Sequence, residues 1–230
     1  MFLKNKKQIK FIMTFCLEST IIEPEKDKNI KNIIVLFHGY GGDGEDISML
    51  TLNWKRHLPN TVFICPNGHE TCDLNPSGYQ WFDLTKDDPN YILNESLKAE
   101  EKINNFLGEI REEYKLDNKQ ICLAGFSQGC MMSINIGLTT EKPFNCVVGF
   151  SGKIINKENL KTRINSHANI FLIHGDLDDV VSPTYLLEAK DFLLREKINI
   201  ETHFIKNCGH QIPIEASSLA LNYILKNIDK

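Results

Sequence analysis

The stretch ICLAGFSQGC, residues 121–130, runs from an apolar segment through a short turn into a segment of helical pattern. Its centre, GFSQG at residues 125–129, has the spacing G-x-S-x-G. Between a strand and a helix, this spacing marks a tight turn that exposes a serine hydroxyl, with glycines where neighbouring elements approach closely. The following helix directs free N–H groups and the positive end of its dipole at the turn, which favours a nearby anion. The stretch therefore predicts a nucleophilic Ser127 at the end of a buried strand.

Short apolar runs alternate with longer segments of helical period along the rest of the chain. The apolar runs occupy residues 32–39, 61–68, 121–127, 146–152, 169–176 and 200–210. This alternation is typical of an α/β protein with a mostly parallel sheet and helices on both faces, in which sites form along the carboxyl ends of the strands. Covering helices are predicted for residues 91–114, 183–197 and 213–227, and one or two antiparallel edge strands within residues 11–22.

The size and charge of the chain limit its organisation and partners. At 230 residues and 42% hydrophobic content, the chain is long enough for one well-buried core, which predicts a single domain over residues 1–230. Residues 1–12 are expected to be a tail or to lie upstream of a true start at Met13. The net charge of −4 gives no broad attraction to nucleic acid, and no apolar run approaches the ~20 residues of a membrane-spanning helix. Neither nucleic acid binding nor stable membrane insertion is therefore expected, and a homodimer stays open.

The cysteines and histidines do not have the spacing of metal sites. The seven cysteines are odd in number, and no pair has the C-x-x-C spacing. Reduced, mostly buried thiols in a cytoplasmic protein are the expected interpretation. A metal hydrolase would need a motif such as H-E-x-x-H, and the His-Glu pair at residues 69–70 lacks the second histidine. The sequence therefore predicts no metal and no cofactor.

The later part of the chain supplies partners for a nucleophilic serine. Such a serine needs an imidazole to accept its proton and a carboxylate to orient that imidazole, and after a G-x-S-x-G turn the chain order is serine, acid, histidine. His210 ends the last apolar run, Asp176 ends the run before it, and Asp178 and Asp179 follow directly after Asp176. Spacing alone does not separate Asp176 from Asp178, because both would occupy the same loop. His174 lies near the end of the run that leads to the aspartates. It is therefore expected to be badly placed to bridge from them to the serine.

The stretch LFHGYGGDG, residues 36–44, suggests a remote alternative, an NAD-binding oxidoreductase. Gly39, Gly41 and Gly44 have the spacing G-x-G-x-x-G that also occurs in dinucleotide-binding loops. That function requires an acid at the end of the following strand, to hold the ribose hydroxyls. The next apolar run ends in CPNG at residues 65–68, and Glu70 and Asp73 come later, in a predicted loop. One of the two required parts is missing, which disfavours the alternative.

Six motifs together resemble one known family. LFHGYGGDGED, YQWFDL, GFSQGC, FSG, HGDLDDVVSP and GHQIP follow one another in this order. They are similar to the small carboxylesterase and acyl-protein thioesterase family of α/β-hydrolases, also described as phospholipase/carboxylesterase, from about residue 14 to the C-terminus. The resemblance implies an α/β-hydrolase fold, and the absence of a long insertion between FSG and NIFLIHG predicts that it carries no large cap.

The resemblance also implies a role for each motif residue. Carried over by position, Ser127 is the nucleophile, Asp178 the acid and His210 the base of a catalytic triad. The backbone N–H groups of Tyr40 and Gln128 are then expected to form the oxyanion hole. Whether another aspartate of the same loop tunes the triad stays open.

Two further pairs of residues are expected to surround the site. By resemblance, Trp81 and Phe82 form part of an acyl-side wall of the substrate pocket, and His38 and Gly39 support the oxyanion loop. The predicted substrate is a small-molecule or lipid-like acyl ester or thioester with a short to medium acyl chain. The predicted reaction is serine-dependent hydrolysis through an acyl-enzyme, with lysophospholipase or acyl-protein thioesterase activity as the physiological alternatives.

Overall fold

The fold is organised around an eight-stranded sheet within the residues that this computed structural model describes, 10–11, 15–25 and 28–228. The strands are β1 (Lys10–Phe11), β2 (Ser19–Ile22), β3 (Asn32–Phe37), β4 (Thr61–Pro66), β7 (Ile121–Phe126), β8 (Cys146–Phe150), β9 (Asn169–Gly175) and β10 (Ile200–Ile205), with β5 (Glu70–Cys72) and β6 (Asn75–Gln80) as a separate hairpin. The helices are α1 (Gly44–Ser48), α2 (Thr51–Trp54), α3 (Pro89–Tyr114), α4 (Gln128–Thr139), α5 (Lys157–Arg163), α6 (Thr184–Arg195) and α7 (Ile214–Ile228), and a 3₁₀ turn spans Asn118–Gln120.

The order of strands across the sheet is β1-β2-β4-β3-β7-β8-β9-β10. From β4 to β10 all neighbours are parallel, whereas β1 and β2 are antiparallel at one edge. Each apolar run of the sequence forms one of the parallel strands. Of the antiparallel pair, β2 lies within residues 11–22, where edge strands are predicted, and β1 begins one residue before that segment. Between β8 and β9 the chain forms only the short helix α5, which leaves the carboxyl edge of the sheet without a large cap. The predicted α/β class is therefore confirmed.

The parallel strands β3, β4, β7, β8 and β9 are buried on both faces, whereas β10 at the edge of the sheet is partly exposed. Ile33 and Val35 of β3 pack in the cluster under α3, α4 and α6, whereas Ile34 and Leu36 pack in the cluster under α2 and α7. Burial on both faces is why these strands appear in the sequence as continuous apolar runs rather than alternating ones. Among the helices of the described residues, none combines the length and the apolar character needed to cross a bilayer.

The ends of the long helices and the short elements are where structure and sequence prediction differ. α3 begins at Pro89, two residues before its predicted start, because the carboxylate of Asp88 accepts from the N–H groups of Asn90 at 2.8 Å and Tyr91 at 3.2 Å. Glu70, predicted in a loop, lies in β5. α1, α2, β5 and β6 have six residues or fewer each, too few to show a clear period in the sequence.

The turn between β7 and α4 is the most cramped point of the fold. Ser127 has φ 52° and ψ −113°, a region that non-glycine residues seldom adopt. A Cβ atom on Gly125 would lie 2.3 Å from the carbonyl carbon of Gly129, and a Cβ atom on Gly129 would lie 2.2 Å from the carbonyl oxygen of Phe37. Both glycines of the G-x-S-x-G motif are therefore required by close backbone contacts.

We expect Gly129→Ala to lower the free energy of unfolding by about 1–3 kcal/mol, because the added methyl group overlaps the backbone of β3. Gly108→Ala in α3 is the matched control, since its nearest neighbour is an atom of Arg111 at 3.8 Å. The control should raise the free energy of unfolding by about 0.5–1 kcal/mol through helix propensity. Urea denaturation followed by circular dichroism measures both, and a similar effect of the two substitutions would contradict the steric argument.

Candidate active site

Ser127 lies at the start of α4, beside the carboxyl end of β8. Its N–H donates to the carbonyl oxygen of Phe150 at 2.8 Å, which ties the turn to β8. The residue is buried, with 8% of its surface exposed. The thiol of Cys130, three residues further on, is fully buried, and burial raises its pKa to about 12, which keeps it protonated and unreactive. Cys130 is therefore no competing nucleophile at this turn, and the role of Ser127 as the nucleophile stays a prediction.

His210 and Asp178 are hydrogen-bonded to each other at the carboxyl edge of the sheet. Nδ1 of His210 donates to Oδ2 of Asp178 at 2.8 Å, and the carboxylate is fully buried. Oδ1 accepts from the N–H groups of Val180 at 3.0 Å and Val181 at 2.8 Å. The acid and the base meet because their loops follow β9 and β10, which are parallel neighbours. With Nδ1–H held by the carboxylate, Nε2 is the nitrogen of His210 that can accept a proton.

The pKa of Asp178 lies below the usual value for an aspartate. Burial by itself raises the pKa of a carboxyl group, but the hydrogen bonds from His210, Val181 and Val180 stabilise the ionised form and outweigh it. The carboxylate is therefore charged at neutral pH and can orient the imidazole.

The two neighbouring aspartates occupy different surroundings. Asp176 and Asp179 are both exposed, and the carboxylate of Asp176 accepts from the N–H of Cys208 at 3.3 Å. The hydrogen bond to His210 is thus made by Asp178, a distinction that spacing alone leaves open.

A second imidazole contacts the carboxylate of Asp178. Nε2 of His174 lies 2.8 Å from the carbonyl oxygen of Val181 and 3.2 Å from Oδ2 of Asp178. Since a carbonyl oxygen only accepts, Nε2 carries the hydrogen and donates it to Val181, and the carboxylate of Asp178 lies beside this N–H group. Burial lowers the pKa of His174, so the ring is neutral at physiological pH. The sequence predicts only that His174 is badly placed to bridge from the aspartates to the serine. Its contact with Asp178 is found only in the three-dimensional structure.

An aromatic contact joins the imidazole of His210 to the end of β7. The ring of Phe126, the residue before Ser127, lies 4.8 Å from the ring of His210, centroid to centroid, at an interplanar angle of 39°. His210 therefore lies against the residue that precedes Ser127, at the carboxyl edge of the sheet.

The loop after β3 lies over Ser127. A Cβ atom on Gly39 would be 3.4 Å from Cβ of Ser127, so the loop and the serine are in close contact. Among the described residues, the backbone N–H groups of Tyr40 and Gln128 donate to no protein acceptor, whereas Gly41 N–H donates to Tyr79 at 2.9 Å. Two free N–H groups beside a nucleophile are the elements of an oxyanion hole.

The side chain of Gln128 connects the start of α4 to the segment after β6. Its Oε1 accepts from the N–H of Trp81 at 2.8 Å, and its Nε2 donates to the carbonyl oxygen of Phe82 at 2.6 Å. The indole N–H of Trp81 donates to the carbonyl oxygen of His38 at 2.9 Å. Trp81 and Phe82 are fully buried, and these contacts give them a positioning role behind the oxyanion loop. Their role as a pocket wall stays a prediction.

His38 holds the loop from below as a neutral ring. The N–H of Gly68 donates to Nε2 at 2.8 Å, so Nδ1 carries the hydrogen and donates to the carbonyl oxygen of Gly39 at 2.7 Å. Burial lowers the pKa of His38 to about 4, although the Gly39 carbonyl and Asp43 act in the opposite direction. The ring thus joins the loop after β3 to the loop after β4.

A groove of about 530 Å³ opens beside these residues. Its inner end is formed by His38, Gly39, Tyr40, Phe126 and His210. One wall comes from α1 and α2, the other from the segment that follows His210 and from the start of α7; the wall residues are Asp46, Ile47, Met49, Leu50, Asn53, Gln211, Ile212, Ile214 and Ser217. The volume is within the range of pockets that hold small organic ligands.

Comparison with known proteins places the chain in a family. The model of the phospholipase/carboxylesterase family matches residues 17–228. Acyl-protein thioesterase 1 of Yarrowia lipolytica is 26% identical over 85% of this chain and 91% of its own length, and acyl-protein thioesterase 1 of Saccharomyces cerevisiae is 28% identical over 86% and 93%. The crystal structure of esterase PE8 matches with a TM-score of 0.87 at 33% identity, over 92% of this chain and 99% of that one. Acyl-protein thioesterase 2 of Zea mays shares the fold, with a TM-score of 0.71 at 22% identity over 92% and 99%.

The fold and the residues around the turn after β7 define an α/β-hydrolase without a large cap. The family model covers nearly the whole chain, and the chain belongs to the phospholipase/carboxylesterase family. The predicted fold, family and enzyme class, a hydrolase of carboxylic esters or thioesters, are therefore confirmed. This assignment decides against the oxidoreductase alternative, and the glycines at residues 39–44 belong to the loop over Ser127.

His38 should make the stability of the protein depend on pH. Its folded pKa of about 4 lies below the value of about 6.5 for an unperturbed histidine, so the unfolded chain binds the extra proton between these values. Neutral His38 therefore makes its full contribution to the free energy of unfolding above about pH 6.5. That free energy falls by up to about 3 kcal/mol as the pH drops toward 4. We expect His38→Asn, whose amide can accept from Gly68, to show a shallower decline in urea unfolding free energies between about pH 7 and pH 4.5. His167→Asn at an exposed position is the control, and an equally shallow profile for the control would contradict the assignment to His38.

Proposed function

We propose that Ser127, His210 and Asp178 form the catalytic triad of this hydrolase. The observation that carries the proposal is the 2.8 Å hydrogen bond between Nδ1 of His210 and the buried carboxylate of Asp178, beside the turn that presents Ser127. This bond fixes the tautomer in which Nε2 is free to accept the serine proton. The free N–H groups of Tyr40 and Gln128 support their assignment as the oxyanion hole.

The proposed reaction proceeds in two acyl-transfer steps. His210 takes the proton of Ser127 while the serine oxygen attacks the carbonyl carbon, and the N–H groups of Tyr40 and Gln128 stabilise the negative oxygen. The imidazolium, stabilised by Asp178, gives its proton to the departing alcohol or thiol. Water then attacks the acyl-enzyme by the same route, which releases the carboxylic acid and restores the serine.

The proposed substrates are esters or thioesters of short to medium acyl chains. Support comes from the family and from relatives named acyl-protein thioesterases and esterase. The groove is open and has apolar side chains in both walls, which suits a small-molecule or lipid-like ester. Thioesterase activity on acylated proteins is the physiological form that the relatives' names favour, with lysophospholipids as the second class of substrate to be tested.

We further propose that the enzyme acts as a single domain in the cytoplasm. All seven cysteines are free thiols, and six of them are buried, as expected for a protein of a reducing compartment.

Three variants test the triad by hydrolysis of p-nitrophenyl acetate. Ser127→Ala should lower kcat by about 10⁶-fold and abolish labelling by a fluorophosphonate probe, because the nucleophile is lost. Asp178→Asn should lower kcat by about 10⁴-fold, because an amide stabilises the wrong tautomer of His210. Asp176→Asn, two residues away and exposed, is the matched control and should retain most of the activity. A larger loss in the control than in Asp178→Asn would contradict the proposed acid.

A further inference from the structure

We propose that the groove between the α1–α2 segment and the start of α7 binds the leaving group of the substrate, and that this leaving group is a neutral, apolar alcohol or thiol. The inference rests on the proposed triad and names the substrate class of the same site. It concerns the part of the substrate that departs, whereas the family resemblance concerns the acyl part.

The position of His210 decides which part of the substrate enters the groove. In the first acyl-transfer step the imidazolium gives its proton to the departing oxygen or sulfur, so the leaving group must lie on the side of the histidine. The groove begins at His210 and continues along Gln211, Ile212 and Ile214, the residues that follow it in the chain. A substituent on the departing atom therefore extends along this surface.

The walls of the groove are apolar where they meet solvent. Met49 is 61% exposed on one wall and Ile214 is 78% exposed on the other. Leu50 and Ile212 lie deeper in the same groove. Exposed apolar side chains in a cleft are stabilised when an apolar ligand covers them, because apolar surface is removed from water. Ser217, whose hydroxyl accepts from the indole N–H of Trp54 at 2.9 Å, also lines the groove.

The charge of the groove selects against an anionic leaving group. Asp46 lines the groove, and no lysine or arginine does so among the residues that the structure describes. A glycerophosphate or another phosphate-bearing leaving group would meet a like charge without a cationic partner. The walls thus favour a simple apolar alcohol or thiol over the headgroup of a lysophospholipid.

Two series of esters separate the effect of the leaving alcohol from the effect of the acyl chain. The first series keeps the acetyl group and lengthens the alcohol from ethyl to butyl to hexyl, and the second keeps ethanol and lengthens the acid by the same steps. We expect kcat/KM to rise at least about tenfold from ethyl to hexyl acetate, because each methylene covered by the groove strengthens binding severalfold. The acetate ester of 6-hydroxyhexanoate, of equal length with a terminal carboxylate, should be hydrolysed at least about tenfold more slowly than hexyl acetate.

Two groove variants and one control connect this preference to the walls. Met49→Gln and Ile214→Gln should each lower the ratio of kcat/KM for hexyl acetate to that for ethyl acetate by about threefold or more. Both side chains are exposed, so neither substitution disturbs the core. Leu194→Gln, at a 52% exposed position of α6 outside the groove, is the matched control and should leave the ratio unchanged.

The outcomes distinguish this inference from the proposed triad. The leaving-group assignment is overturned, while the triad stands, if kcat/KM rises with the length of the acyl chain and the groove variants reduce that rise. Faster hydrolysis of the carboxylate-bearing ester than of hexyl acetate overturns the neutral class. An enzyme that hydrolyses no ester of either series overturns the proposed function and this inference together.

An independent observation, the contact between His174 and Asp178, supports a second inference. We infer that His174 is a positioning residue for the reaction, whose N–H group, donated to the Val181 carbonyl, also lies against the oxygen of Asp178 that accepts from His210. That oxygen, Oδ2, lies 3.2 Å from His174 and 2.8 Å from His210. A carboxylate that shares its charge between two donors binds each of them less strongly, so His174 limits how strongly Asp178 stabilises the imidazolium.

The pH profile of kcat/KM tests this role. The ionisable groups that face His174 are Asp178 on its own loop and His210 on the loop after β10. His174→Phe removes the donor, so we expect the acidic limb of the profile to move to higher pH by about 0.5 unit or more. His174→Gln, which can still donate, should restore the limb toward its original position.

The readout separates positioning from a purely structural role. Thermal unfolding is measured in parallel, and His174→Leu is the second apolar variant should the phenylalanine variant not fold. Lower stability with an unchanged acidic limb would show that His174 only fills space and would overturn the inference.

Discussion

The close approach of the first turn of α4 to the ends of β3 and β7 is the constraint on which the site depends. A Cβ atom on Gly129 would lie 2.2 Å and 2.6 Å from the carbonyl oxygens of Phe37 and His38, so the helix can start here only without a side chain at this position. The same contact places the loop after β3 over Ser127. Ser127 and the loop after β3 are therefore held together by backbone packing rather than by flexible side chains. The proposed oxyanion hole would be preorganised in the same way, which is the form of support that stabilises a transient oxyanion.

The electrostatics of the site consist of one buried charge surrounded by neutral donors. The carboxylate of Asp178 accepts from two backbone N–H groups and from His210, and Nε2 of His174 lies 3.2 Å away, which compensates for the water it loses on burial. His38 and His174 have pKa values lowered by burial and remain neutral. Because the neighbouring imidazoles add no positive charge, Asp178 can act on His210 without a competing cation.

The surroundings of the site are unequal on its two sides. On one side, the side chain of Gln128 and the buried Trp81 form a hydrogen-bonded support behind the oxyanion loop. On the other, the α1–α2 segment and the start of α7 leave an open groove with exposed apolar side chains. The rigid support suits the proposed acyl-transfer chemistry, which needs fixed geometry. The accessible apolar surface suits the proposed binding of the leaving group.

The sequence by itself determined the fold class and the chemical types at the site. Continuous apolar runs predict parallel strands buried on both faces, and the G-x-S-x-G turn predicts Ser127 at the end of one of them. The order of the later motifs predicts where an acid and a base must follow. These features are visible because each depends on residues close together in the chain, namely the period of a strand or a helix and the glycines of a turn.

Only the tertiary structure decided which groups meet. The chain spacing leaves Asp176 and Asp178 equivalent, and the hydrogen bond to His210 separates them because β9 and β10 are neighbours in register. The contact of His174 with the acid and the joining of the α1–α2 segment to α7 in one groove have no sequence signal, since α1 and α2 are too short to show a period. Such contacts join segments far apart in the chain, and their geometry is fixed by the packing of the whole sheet.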